Sequence, residues 1–373
     1  MRAVAVTAAL GLMVSVANSP SLNQRRKRAE PEITQTLELP KELPAVVVAE
    51  SQRLAFQVSP LSARGLLSQQ VRDALRVLLQ QAHGAQIVKL RGFVAGSGDI
   101  RRVSAIVSEI FVERRLALPA LSVVRVGALP LEGAQVLLEA VAIEKKAVNP
   151  HGLAFISPQA GVSEQPLAPA APLAEQSVSR LRVALRALHL ESGDVLRAAC
   201  FLTSLDDFDA VRGRLAAAFP GAALSFAQGQ RVLGRSSVQC EAVARLRQAP
   251  EEALRLVNPA ELTKRPGVSQ IAVVGPVRLA LTGTQLAFGL TEADARLAFQ
   301  RLGKTLEQAG AGFSQAAVWN IYPLSGYFAE LSTKVGGEFS DAARPPAGAI
   351  VPVEGLASMD AAFALDAVAV VAK

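Results

Sequence analysis

Hydrophobic and polar positions along the chain predict one order of secondary-structure elements three times over. In the first third, residues 55–59 alternate as a strand does, and residues 66–81 carry apolar side chains at helical spacing. The same criteria predict a strand over 87–94, a helix over 100–114, and strands over 119–126 and 134–143. The predicted order is therefore strand, helix, strand, helix, strand, strand.

The middle and last thirds of the chain repeat this order. The middle third predicts strands over 153–156, 194–202, 223–228 and 236–245, with helices over 175–190 and 206–219. The last third predicts strands over 277–282, 316–322, 346–353 and 361–370, with helices over 292–308 and 326–335. Each set predicts one sheet with two helices on one face, so the expected fold class is α+β with three tandem two-layer modules.

Short sequence matches support a threefold repeat. Glu139 begins the sequence EAVA, Glu241 begins it again 102 residues later, and Asp366 begins DAVA a further 125 residues on. The early strands match as well, as LAF at 54 and 153 and as LAL at 279. The predicted organisation is a signal-like segment with a flexible leader (1–40), modules over 41–146, 147–247 and 269–373, and a linker over 248–268. Residues 157–172 are rich in proline and alanine and predict a loop.

Composition and charge narrow the class of protein. The chain has 373 residues, of which 50% are hydrophobic and 19% charged, and this balance is typical of globular domains. The net charge is +7, partly from the basic run 25–28, but no aromatic residues are interleaved with that run. Single-stranded nucleic acids are bound by basic and aromatic side chains together, so no nucleic-acid partner is expected.

The first residues predict export. Met1 and Arg2 precede an uncharged, mostly apolar stretch of 15 residues that ends at Ala17 in small residues, as a secretory signal does. We therefore expect a periplasmic or secreted protein, or a cytoplasmic one if the true start lies further along. A non-cleaved anchor is the alternative within the same segment. No other stretch is long and apolar enough for a stable membrane span.

Cysteine and histidine usage gives little sign of a metal or cofactor site. Cys200 and Cys240 lie in apolar strand-like runs and are predicted to be small buried hydrophobes, and whether they pair is left open. His83, His151 and His189 are far apart, which disfavours a zinc site or a catalytic triad. The sequence contains neither a P-loop nor a GxSxG motif, and no cofactor is predicted.

Several segments resemble the RidA/YjgF family of imine deaminases. They are GDVLRAACFLTSLDDFDAVRGRLAAAFP (193–220), LPALSVVRVGALPLEGAQVLLEAVAIE (118–144), GAGFSQAAVWNIYPLS (310–325) and PPAGAIVPVEGLASMDAAFALDAVAVV (345–371). Members of this family are usually homotrimers of a chorismate-mutase-like fold, with ligand pockets in the clefts between subunits. Three such modules in one chain imply a monomer built as an intramolecular trimer with pseudo-threefold symmetry.

The resemblance also implies which residues line the clefts. Active members carry an arginine that grips the substrate carboxylate, and the matching positions here are Leu121, Leu224 and Gly348. Two residues further along each strand lie Val123, Phe226 and Ile350. These walls are apolar, so we predict a small apolar ligand in the clefts between modules. Arg125 shares the face of Leu121 by strand alternation and is the candidate to replace the missing cation, with Arg212 and Arg214 on a neighbouring helix as others.

The acidic position of the family is kept in all three modules, as Glu139, Glu241 and Asp366. The resemblance implies that these are the catalytic candidates, because a carboxylate can position water or act as a general base. The same carboxylates could instead accept hydrogen bonds at the module interfaces, and without the arginine we favour this structural role.

Three functions follow in order of preference. The first is a divergent RidA-like protein that binds a small ligand or serves as a scaffold without catalysis. The alternative is an enamine or imine deaminase that hydrolyses a reactive intermediate, such as 2-iminopropanoate or 2-iminobutanoate. The second alternative is an RNA-binding or endoribonuclease-like activity, which the net charge permits.

Overall fold

Three β-sheets, each accompanied by two α-helices, make up the part of the chain that the computed structural model describes, residues 41–231 and 234–372. The signal-like segment and the leader predicted over 1–40 lie outside the described residues. No helix in the described ranges is long and apolar enough to cross a membrane. The predicted α+β class is confirmed.

The first sheet and its helices, here called the first unit, follow a short strand β1 (Val46–Glu50). The unit consists of β2 (Leu54–Val58), α1 (Leu67–Gln81), β3 (Gln86–Val94), α2 (Arg101–Glu113), β4 (Ala120–Arg125) and β5 (Val136–Ile143). The strands lie in the order β2-β5-β3-β4, with β3 and β4 parallel and the other pairs antiparallel. Val71, Leu75 and Leu78 are buried on one face of α1, because spacings of four and three residues bring side chains to the same face of a helix.

The second unit repeats this topology. It consists of β6 (Leu153–Ser163), α3 (Ala170–Arg186), β7 (Val195–Leu202), α4 (Phe208–Ala218), β8 (Ala223–Gln228) and β9 (Ser236–Arg245). Two further strands, β10 (Leu254–Val257) and β11 (Ile271–Val274), extend its sheet to the order β10-β11-β6-β9-β7-β8. Strand β10 lies in the segment that the sequence predicts as a linker, 248–268.

The third unit has the same order with its first strand in two pieces. It consists of β12 (Arg278–Thr282), β13 (Gln285–Phe288), α5 (Glu292–Gln308), β14 (Ala316–Pro323), α6 (Gly326–Gly336), β15 (Ala347–Ile350) and β16 (Ala361–Val370). Its sheet has the order β1-β12-β16-β14-β15, and β13 also pairs with β16.

Two strands cross from one unit to the sheet of another. Strand β1 precedes the first unit in the chain but pairs antiparallel with β12 of the third, from Val46 opposite Thr282 to Glu50 opposite Arg278. Strand β11 precedes the third unit and pairs with β6 of the second. Because paired strands are held together by backbone hydrogen bonds, these crossings tie the units together. The segments 41–146 and 269–373 predicted as modules therefore each contribute a strand to a sheet outside themselves.

The prediction of a loop over 157–172 is wrong for most of that segment. Strand β6 continues to Ser163 through a bulge between Ile156 and Gln159, and α3 begins at Ala170 rather than at residue 175. Proline is tolerated at a bulge, where no ladder hydrogen bond is lost, and Pro158 lies there. Asp207 lies at the start of α4, and its carboxylate accepts hydrogen bonds from the amides of Ala170 and Ala171 at the start of α3.

Aromatic side chains mark the place where the three sheets meet. Phe93, Phe201 and Tyr322 come from β3, β7 and β14 and pack in one buried cluster. The rings of Phe93 and Phe201 meet edge to face, with 5.6 Å between their centroids. Each unit also has its own cluster of buried side chains between sheet and helices. The inner faces of the sheets are therefore buried against one another and their outer faces against the helices.

Candidate functional site

The three acidic residues predicted as catalytic lie at matching positions in the three sheets. Glu139 on β5 is opposite Arg91, Glu241 on β9 is opposite Ala199, and Asp366 on β16 is opposite Asn320. Their exposed fractions are 3%, 5% and 2%. A buried carboxylate is costly unless it is paired, so the partners of these side chains decide what they can do.

Glu139 and Glu241 are held between two arginines from different units. Arg91 donates from Nε to Glu139 over 2.8 Å and from Nη2 to Glu241 over 2.7 Å. Arg197 donates from Nη1 to Glu139 and from Nη2 to Glu241, both over 2.7 Å. The hydroxyl of Ser225 donates to the other oxygen of Glu139. Two cations and two anions thus alternate across the interface between the first and second units.

Asp366 has a separate set of donors that joins the third unit to the first. Asn320 donates to Oδ1 over 2.8 Å, and Ser122 donates its hydroxyl to Oδ2. Lys89 lies 3.4 Å from Oδ2 and also donates to Ser122 and to the carbonyl oxygen of Thr282. This carboxylate is therefore fixed by hydrogen bonds on both of its oxygens.

The charges of the cluster shift the pKa values of its members. Burial by itself would raise the pKa of Glu139, but the charges of Arg91 and Arg197 outweigh it and lower that pKa to about 2. Burial lowers the pKa of Lys89, against the opposing effect of Asp366. Burial also raises the pKa of Tyr322 well above its usual value. A carboxylate with a pKa near 2 is a weak base at neutral pH.

We expect the free energy of unfolding to fall as the pH drops from about 4.5 towards 2. The pKa of Glu139 is lower in the folded protein than the ordinary 4.5, so its contribution is complete above pH 4.5 and is lost as the pH falls to about 2. The loss from this group is about 3 kcal/mol. Urea unfolding across that range measures it, and the slope with pH should be smaller in Glu139→Gln. Equal slopes in the two proteins would contradict this role of Glu139.

Leu121 and Val123 line an open cleft of about 580 Å³ between the first and third units. Its other walls are residues 41–45, the face of α2 that carries Ser104 and Ser108, and residues 283–286. The amide of Thr284 donates to the carbonyl oxygen of Leu121 over 3.1 Å, which holds the two walls together. The structure thus brings two of the predicted ligand-binding residues to a cleft between units.

Arg125 does not reach this cleft. Its guanidinium donates to the carbonyl oxygens of Gly96 and Gly98 over 2.7 and 2.9 Å, within the turn that precedes α2. Arg212 and Arg214 are at the surface, in ion pairs with Asp209 and Glu175. None of these arginines takes the place of the family's arginine.

Gly348 and Ile350 line a much smaller cavity of about 30 Å³, between α6, the strands β14 and β15, and residues 267–268. Gly348 has φ +153°, and a Cβ placed on it would lie 1.7 Å from the carbonyl oxygen of Trp319. Its amide donates to Ser157 over 2.9 Å. Only glycine fits this position, so an arginine cannot stand here without movement of the backbone.

Leu224 and Phe226 pack into the core of the second unit, where the ring of Phe226 meets that of Phe208 edge to face at 5.2 Å. Neither residue lines the cleft beside Leu121 or the small cavity beside Gly348. The three positions that the family resemblance places in equivalent clefts therefore have three different surroundings.

The partners of the carboxylates were missed in the sequence. They are Lys89, Arg91, Ser122, Arg197, Ser225 and Asn320. A signal was present, because the strands IVKLRGFV and VLRAACFL carry charged residues within apolar runs. A charged side chain inside a buried strand indicates a paired partner elsewhere.

Cys200 and Cys240 form a disulfide in the second unit. They lie directly opposite each other on β7 and β9, and their exposed fractions are 1% and 0%. The predicted burial is confirmed, and the question of their pairing is answered. Over the described ranges, no three His, Cys, Asp or Glu side chains gather in a way that could hold a metal ion.

Comparison with known proteins finds solved structures that are similar to parts of this chain. No protein-family model matches the sequence, and no curated protein matches it. Among solved structures, a member of the YjgF protein family from Neisseria meningitidis is 17% identical, covering 32% of this chain and 96% of that one with a TM-score of 0.24. A member of the YjgF/YER057c/UK114 family from Mycobacterium tuberculosis is 23% identical, covering 32% and 99% with a TM-score of 0.24.

Escherichia coli TdcF with bound serine is 16% identical, covering 25% of this chain and 81% of that one with a TM-score of 0.23. Each of these similarities extends over about a third of the chain or less. Each of the two YjgF-family structures is therefore similar to one part of this chain.

Proposed function

We propose that this protein is a non-catalytic RidA-like protein that binds a small ligand, with its three units arranged as an intramolecular trimer of pseudo-threefold symmetry. The observation that carries the proposal is the state of the three carboxylates. Glu139, Glu241 and Asp366 are buried and each is held by donors from more than one side chain. A general base needs a pKa near the working pH and a free oxygen near the substrate, and Glu139 has the opposite properties.

The matching strand registers support the threefold arrangement. The acidic residue of each unit lies at the same place on its last strand, and two of the three interfaces use these residues in the same sense. Glu139 of the first unit forms an ion pair with Arg197 of the second, and Asp366 of the third forms one with Lys89 of the first. In this proposal a single chain supplies all three units, so a monomer is the functional form.

The cleft beside Leu121 and Val123 is the proposed ligand site. Its volume of about 580 Å³ is suitable for a small molecule, since ligand pockets commonly range from ~300 to 1,000 Å³. Leu121 occupies the position from which active family members would grip a carboxylate. We therefore propose an apolar ligand rather than an amino-acid-derived imine.

The disulfide supports an oxidising compartment as the place of action. Disulfides form and persist in exported proteins and are rare in the cytosol, because thiol reductants act there. Together with the signal-like first residues, the Cys200–Cys240 bond favours the periplasm or the cell exterior.

We expect the purified protein to hydrolyse 2-iminopropanoate and 2-iminobutanoate no faster than the background, because no arginine lines the cleft beside Leu121 and the carboxylates of Glu139, Glu241 and Asp366 lie outside it. Release of ammonia from freshly generated imine measures the rate. Leu121→Arg, which places a guanidinium in this cleft, is the matched variant and should also be inactive. A rate above background in the parent protein that falls in Asp366→Asn would instead establish the deaminase alternative.

A further inference from the structure

One position in each unit points toward the carboxylate of the next unit. The strand register matches Lys89 opposite Val141, Arg197 opposite Val243 and Val318 opposite Val368. A second matched set is Ser122, Ser225 and Ala349, at the same place on β4, β8 and β15. Two units thus carry a cation and a hydroxyl where the third carries valine and alanine.

In two interfaces these side chains fill the space beside the carboxylate. Arg197 and Ser225 both donate hydrogen bonds to Glu139. Ser122 donates a hydrogen bond to Asp366, and Lys89 forms an ion pair with it. A long aliphatic stem with a donor at its end therefore reaches the acidic residue, and a serine hydroxyl supplies a second hydrogen bond.

The third interface lacks this filling. The side chains of Val318 and Ala349 are short and have no hydrogen-bond donor. Glu241 therefore accepts no hydrogen bond from the described residues of the third unit. Its Oε1 accepts from Arg91 and Arg197, while its Oε2 accepts no hydrogen bond from the described residues. The Glu241 side chain keeps an exposed fraction of 7% and lines a cavity.

This cavity has a volume of about 80 Å³ and lies among all three units. Its apolar wall residues include Phe155, Val243, Leu281 and Val318, and Glu241 also lines it. One water molecule needs ~10–15 Å³ on this scale, so there is room for a short chain of several heavy atoms. The cavity beside Val318 corresponds to the volume that the side chains of Lys89 and Arg197 fill in the other two interfaces.

The charge of an occupant is set by the charges already present. Three cations and three carboxylates line the cavity: Lys89, Arg91, Arg197, Glu139, Glu241 and Asp366. The positions matched to Arg91 in the other units hold Ala199 and Asn320, which are uncharged. Arg91 thus supplies Glu241 with the positive charge that Val318 lacks. A further buried ion of either sign would lack a counter-ion, which is costly. The occupant should therefore be neutral and still donate a hydrogen bond.

We propose that this cavity binds a small neutral molecule consisting of a short aliphatic chain and a hydroxyl group, which donates to Oε2 of Glu241. The chain of the ligand lies against Phe155, Val243 and Val318. This site is separate from the cleft beside Leu121, and it stands whether or not that cleft binds a ligand.

Saturation-transfer NMR with 1-butanol tests the proposal on the full chain, with butylammonium and butyrate as charged probes of the same length. We expect 1-butanol to bind with a millimolar dissociation constant and both ions to bind at least ~10-fold more weakly. Val318→Gln places a neutral donor in the cavity and should weaken 1-butanol binding at least ~10-fold. Leu116→Asn, at an exposed position of the first unit, should leave it unchanged.

Ala349→Ser is the second variant, chosen because it adds only the hydroxyl that Ser122 and Ser225 supply elsewhere. It should weaken 1-butanol binding by competing for Oε2 of Glu241. Absence of 1-butanol binding overturns the proposal, and so does equal binding by either ion. Unchanged binding in both Val318→Gln and Ala349→Ser would place the alcohol elsewhere and overturn it as well.

Discussion

Replacement of Arg91 by methionine should lower the free energy of unfolding by about 3–5 kcal/mol. Arg91 is 6% exposed and donates to both Glu139 and Glu241, so the variant leaves two buried carboxylates to share one cation, Arg197. The methionine keeps most of the aliphatic volume, and the loss therefore reports on charge rather than on packing. Urea unfolding followed by circular dichroism measures the change.

Arg101→Met is the matched control, because Arg101 pairs with Asp99 at the surface and its side chain is 74% exposed. Such exposed pairs contribute about 0–1 kcal/mol, and this variant should be close to the parent protein. The double variant Arg91→Met/Glu241→Gln removes one charge of each sign and should be more stable than Arg91→Met alone. If Arg91→Met is as stable as Arg101→Met, the buried cluster does not hold the first and second units together.

Removal of the Cys200–Cys240 disulfide by a double alanine substitution should lower the free energy of unfolding by about 2–4 kcal/mol. The bond closes a loop over a sequence separation of 40, and a cross-link restricts the unfolded chain more than the folded one. Both sulfur atoms lie in the core of the second unit, so part of the loss comes from packing. Chemical unfolding under non-reducing conditions measures the total.

Thiol titration of the unfolded, unreduced protein separates the bond from the packing. The sequence contains two cysteines, so the parent should show no free thiol and Cys240→Ala should show one. Addition of a reductant to the unfolded parent before refolding should bring its stability close to that of Cys240→Ala. Two free thiols in the untreated parent would mean that the bond does not form.

The sequence was sufficient to predict the helices and strands and to identify the acidic residues of the buried cluster, but not their partners. Helical and strand periodicity predicted the repeated order, because each element has one face against a core and the apolar residues follow that face. The EAVA and DAVA matches identified Glu139, Glu241 and Asp366 as related positions. Local pattern failed over 157–172, which was predicted as a loop, whereas β6 runs through its first part with a bulge at Pro158.

The sequence by itself determined the α+β class, the order of helices and strands and the burial of Cys200 and Cys240, since these depend on local periodicity and composition. Only the tertiary structure decided which units exchange strands, which cation holds each carboxylate, and that Leu121 lines a cleft while Leu224 packs against the core of its unit. The physical reason is distance along the chain. Arg91 and Glu241 are 150 residues apart, and no local preference of either residue specifies a contact that forms only when two sheets meet.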